Sequence, residues 1–90
     1  MESVIESIPT SLRGDLSKKL IGIVTGSQDK NAIPTELAKK IIYLWRRDQM
    51  AAPVGLMALL EGAVMVDPKE THNVLDELGL SQVTVHLRNQ

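Results

Sequence analysis

Between Glu36 and Arg47 the chain places Lys39, Lys40, Arg46 and Arg47 around Tyr43, with Glu36 as the one acid among them. At about 100° per residue these side chains share one side of a helix. Cations with an aromatic ring among them can neutralise phosphates and stack on a base, or dock on an acidic protein surface. The same pattern also makes an ordinary solvated face, because Lys and Arg are good helix formers. A second pattern is Gly55, Ala58 and Gly62, spaced three and four apart, which leaves a strip of missing side chains on one helix face. Helical Gly costs about 0.5–1 kcal/mol relative to Ala, so the strip calls for close approach of another helix, from within the fold or from a partner. Met50, Met57 and Met65 flank it and suit irregular apolar contacts.

Catalytic patterns are missing from the sequence. With no Cys there is no thiol nucleophile, disulfide or thiolate metal site. Of the two histidines, His72 and His86, His72 has Asp76 within one helical turn but no second histidine or activated nucleophile in reach, and both are expected at the surface. No Gly-rich phosphate loop or paired-carboxylate motif occurs. The expectation is a protein that is not an enzyme and uses no metal or cofactor.

The elements that must position these residues follow from apolar spacing and punctuation. Leu12, Leu16, Leu20, Ile23 and Val24 recur at helical intervals, which predicts a helix over Thr10 to Thr25, capped by Thr10 or Ser11 and stopped by Gly26. A second helix is predicted from Pro34 to about Gln49, with Leu37, Ile41, Leu44 and Trp45 inward. Its apolar arc, extended by Ala38 and Ile42, covers about 160°. A third opens at Pro53 and is apolar nearly all round, so it needs neighbours on several sides. Asp67, Pro68 and Glu70 make a capping-box pattern that starts a fourth. Val74, Leu75 and Leu78 face inward there, and Gly79 ends it.

The tail over 81–90 is ambiguous. Val83-Thr84-Val85-His86-Leu87-Arg88 alternates apolar and polar residues, which fits a half-buried strand. It also fits an extended tail pinned by Val83, Val85 and Leu87, or a helix capped by Ser81. A lone strand would need a partner edge, from a second copy across a two-fold axis or from another protein. Ile8-Pro9-Thr10-Ser11-Leu12 is echoed by Ile33-Pro34-Thr35-Glu36-Leu37, 25 residues later. Two copies do not make a repeat protein, and the echo reads as one way of starting a helix used twice.

Composition bounds the rest. Ninety residues, 43% hydrophobic with a net charge of −1, suit one folded domain rather than a disordered chain. The near-zero charge hides polarity: residues 13–47 hold eight Lys or Arg against three acids, and residues 51–90 hold two against five. Glu2 and Glu6 and the short apolar run argue against a signal peptide. The 17 residues from Met50 to Val66 include Pro53 and Glu61 and fall short of the roughly 20 a membrane span needs. A cytoplasmic location without membrane association is expected.

The run from Ile33 to Arg47, with the Gly55 to Glu61 helix and the Leu75 to Leu80 turn, resembles the small helical accessory subunits of B-family replicative DNA polymerases from thermophilic archaea. The resemblance extends over most of the chain from Pro9 onward and carries no signature motif or catalytic residue. It implies a non-enzymatic subunit that attaches to a polymerase and tunes its action on DNA. Read together, these features predict an all-α fold: a compact bundle of four main helices around Met50 to Val66, a short leading helix or flexible leader over 1–8, and a C-terminal strand or extended tail. The expected function is an accessory subunit or adaptor for a larger protein, or a homodimer, with Gly55, Ala58, Gly62, Val83, Val85 and Leu87 as protein interface. The alternative is a nucleic-acid-binding protein using Lys39, Lys40, Tyr43, Arg46 and Arg47.

Overall fold

The computed structural model describes residues 2–29 and 31–88, and among them it shows six α-helices and no strand. These are α1 (Glu2–Glu6), α2 (Thr10–Thr25), α3 (Thr35–Arg46), α4 (Pro53–Val66), α5 (Pro68–Glu77) and α6 (Ser81–Arg88). The all-α expectation holds, with six helices in place of four. Residue 1 of the leader and residues 89–90 of the tail lie outside the described residues.

α4 is the centre. Leu56, Ala58, Leu59, Leu60, Gly62 and Ala63 are all buried, as an all-round apolar helix requires. It packs against α1, α2, α3 and α5. α5 also touches α2 and α6, and α6 touches α1, which links the outer elements in the order α2, α5, α6, α1. α3 stands outside that series and packs on α4 alone. This difference decides which of its residues meet solvent.

Local rules explain most helix ends. Pro9 and Pro34 take nearly the same extended backbone, with ψ of 136° and 146°, and neither helix has a side-chain cap. The sequence echo is therefore one helix start used twice, and Thr10 and Ser11 do not act as caps. The Asp67 carboxylate accepts from the Glu70 N–H at 3.0 Å and Pro68 occupies the first turn, as the capping pattern demands. Gly79 takes φ +74°, and the Leu80 N–H reaches back to the Leu75 carbonyl at 2.8 Å, forming a Schellman motif. α3 ends the same way, three residues short of Gln49. Asp48 adopts φ +56°, and the Gln49 N–H bonds the Leu44 carbonyl at 2.9 Å.

At the chain ends the structure chooses among the alternatives. Residues 2–6 are helical, and Ile5 and Ile8 are fully buried, so the segment is the short leading helix and not the flexible leader. The Arg13 guanidinium of α2 closes α1 by donating to the Ile8 and Glu6 carbonyls, each at 3.1 Å. The tail is a helix, neither a strand nor an extended arm. In a helix Leu80, Val83, Thr84 and Leu87 fall on one stripe, and Val83 and Thr84 are buried with Leu87 half-buried. The Thr84 hydroxyl donates to Asp76 at 3.1 Å and so ties α6 to α5. Strand pairing across a two-fold axis accordingly has no strand to use among the described residues.

Candidate interaction surface

α3 carries the basic residues singled out from sequence, and the fold displays all of them. Lys39, Lys40, Tyr43, Arg46 and Arg47 are exposed on the side turned away from Ile41 and Leu44, which bury against α4. The Arg47 guanidinium lies 4.6 Å from the Tyr43 ring centre, a cation–π contact that covers one face of the ring. Lys39 makes a 3.8 Å pair with Glu36, both highly exposed, and such pairs add little stability. The remaining cations make a strip of positive potential along the helix.

The inward arc of α3 is narrower than its apolar composition suggests. Trp45, expected in the core, is 56% exposed, and Ile42 is 53% exposed. With one neighbour the helix buries only the stripe of Leu37, Ile41 and Leu44. The other half of the apolar arc opens into a groove of about 420 Å³ between α3 and the end of α2, lined by Val24, Thr25, Ile33, Ala38, Ile41, Ile42, Trp45 and Arg46. Tyr43, at 56%, adds a third large exposed side chain to the same helix. Val24, Thr25 and Ile33 were not singled out as surface residues, because they join the groove only through tertiary placement. The one sequence signal for it was the arc itself, wider than a single neighbour can cover.

The proposed small-residue interface is corrected. Gly55, Ala58 and Gly62 are buried inside the fold. A side chain at Gly55 would collide with the Gln49 carbonyl oxygen and come within 2.7 Å of Met50 Cα, while at Gly62 it would meet Ile41 Cδ1 at 3.3 Å and Val24 Cγ2 at 3.4 Å. The strip thus admits the chain's own 49–50 turn and the α2–α3 side chains, and no partner can reach it. Of the tail residues, Val83 is buried, Leu87 is half-buried, and Val85 alone is well exposed. Met50 is buried, whereas Met65 is exposed.

A larger and more polar cleft, of about 770 Å³, runs along α2 and α5 and is lined by Lys19, Asp29, Asp67, Glu70 and Glu77 beside Met65, and His72 is not part of it. His72 and His86 are half-buried rather than fully at the surface. Among the described residues no group of three or more His, Asp or Glu side chains could hold a metal ion, and no helix is long and apolar enough to cross a membrane. No family model, curated protein or solved structure matches the chain.

Proposed function

We propose that this chain is a non-catalytic accessory subunit or adaptor that docks on a larger protein through the outer side of α3. The reading rests on Ile42 and Trp45, which are each more than half exposed in one groove wall, with Tyr43 equally exposed on the adjoining basic side. Large exposed apolar patches bordered by polar groups are a feature of protein contact sites, and Trp, Tyr and Arg are the side chains that dominate binding energy in such sites. The resemblance to polymerase accessory subunits suggests a B-family replicative DNA polymerase as the host, in the cytoplasm of an archaeon. The test is co-purification of the tagged chain from native extract beside an Ile42→Glu, Trp45→Glu variant. A stoichiometric larger protein retained by the first and lost by the second supports the reading. A strictly monomeric chain, or a partner held equally by both, overturns it, and a retained protein without polymerase activity removes the polymerase as host.

A second reading, nucleic-acid binding, is favoured by the contiguous exposure of Lys39, Lys40, Tyr43, Arg46 and Arg47. It predicts affinity for DNA that falls steeply with salt and collapses in a Lys40→Glu, Arg47→Glu variant. Salt-insensitive binding, or binding unchanged by that variant, rules the strip out.

A further inference from the structure

We infer that the groove between α2 and α3 receives an amphipathic helix of a partner protein with acidic residues along the flank that meets α3; this rests on the protein-docking reading above. Three properties of the groove point to that occupant. Its walls are hydrocarbon apart from Thr25 and Arg46, so it rewards buried apolar side chains and offers bases almost no hydrogen bonds. Its α3 wall runs from Ala38 to Trp45, about 10 Å along the helix axis at 1.5 Å per residue, the distance covered by an i to i+7 apolar stripe on a docked helix. Its charge is one-sided. Arg46 forms the α3 edge, Lys39 lies two turns before it on the same side, and both are exposed.

A second copy of the chain does not supply such a ridge. The apolar stripes of α2, α5 and α6 are turned into the core. The remaining large exposed apolar residues, Val54, Met65 and Val85, are scattered over α4 and α6. Stacking of bases is also hindered, since Arg47 already covers one face of Tyr43.

Trp45 is the one tryptophan of the chain and stands in the groove wall, so its fluorescence reports occupancy directly. The probes are three synthetic 18-residue helical peptides without tryptophan: one with Leu at helical spacing flanked by Glu, one with Lys replacing Glu, and one with Glu kept but Leu positions scrambled. The expected result is a saturable blue shift with the acidic amphipathic peptide, at least about tenfold tighter than with the lysine peptide and weakened by salt. The scrambled peptide should not bind. Ile42→Glu should abolish binding, and Arg46→Glu should shift the preference toward the lysine peptide; both sites are exposed, and unchanged melting confirms that both variants fold. Equal affinity for the acidic and basic peptides, or no binding of either, overturns the inference. So does tighter quenching by a single-stranded oligonucleotide, or burial of Trp45 by concentration-dependent dimerisation. If the peptides fail while the native partner is still lost in the Ile42→Glu, Trp45→Glu variant, the acidic helix falls and the docking reading stands. If the partner survives that variant, the docking reading falls whatever the peptides do.

Discussion

Replacing Gly55 by Ala should destabilise the protein even though Ala is the better helix former. The new Cβ would overlap the Gln49 carbonyl oxygen and lie 2.7 Å from Met50 Cα and 2.8 Å from the Gln49 carbonyl carbon. Carbon pairs rest at about 3.5–4.0 Å, so the 49–50 backbone must retreat by about 1 Å. That backbone is anchored. The Gln49 N–H bonds the Leu44 carbonyl at 2.9 Å, the Ala52 N–H bonds the Gln49 carbonyl at 3.2 Å, and the Met50 side chain is buried. Overpacking costs about 1–3 kcal/mol, and straining two backbone hydrogen bonds adds about 1 kcal/mol. The helix-propensity gain of about 1 kcal/mol offsets only part of this. A net loss of about 2 kcal/mol corresponds to a fall of roughly 8–16 °C in melting temperature for a domain of this size. Thermal and urea melts followed by far-UV circular dichroism measure it. Gly22→Ala is the internal control, since nothing lies within 4 Å of its new Cβ; it should gain about 0.5–1 kcal/mol. If Gly55→Ala melts at or above the parent temperature, the turn does not pack against α4 as described.

Asp48→Gly should stabilise by about 1 kcal/mol, because it relieves a left-handed Asp at φ +56° and removes a negative charge from the carbonyl end of α3; an unchanged or lower urea midpoint would refute it. In the tail, Val83→Ala should cost about 2 kcal/mol and Val85→Ala under about 0.5 kcal/mol, because Val83 is buried and Val85 is 54% exposed. Equal losses at both positions would mean that the two share a face, as they would in a strand.

Short-range chemistry was legible along most of the chain. The limits of α2 and the start of α4 follow from apolar spacing and proline, and the start of α5 from the Asp67 cap. Each of these depends on groups within about one helical turn, and the chain carries that information in consecutive residues. The exposed basic side of α3 was legible for the same reason: a charged side chain goes to water unless something pairs with it.

What lay beyond reach depended on which helix stands beside which. Alternation in the tail fitted a strand and a helix alike, and contacts with α5 and α1 chose the helix that buries Val83 and Thr84. The small residues of α4 allow close approach without saying what approaches; the 49–50 turn and the α2–α3 side chains take that space. Trp45 has the composition of a core residue, and it meets solvent because α3 has one neighbour where a wide apolar arc requires two. Hydrophobicity is a property of the residue, but burial needs a second surface, and that surface comes from a distant part of the chain or from another molecule.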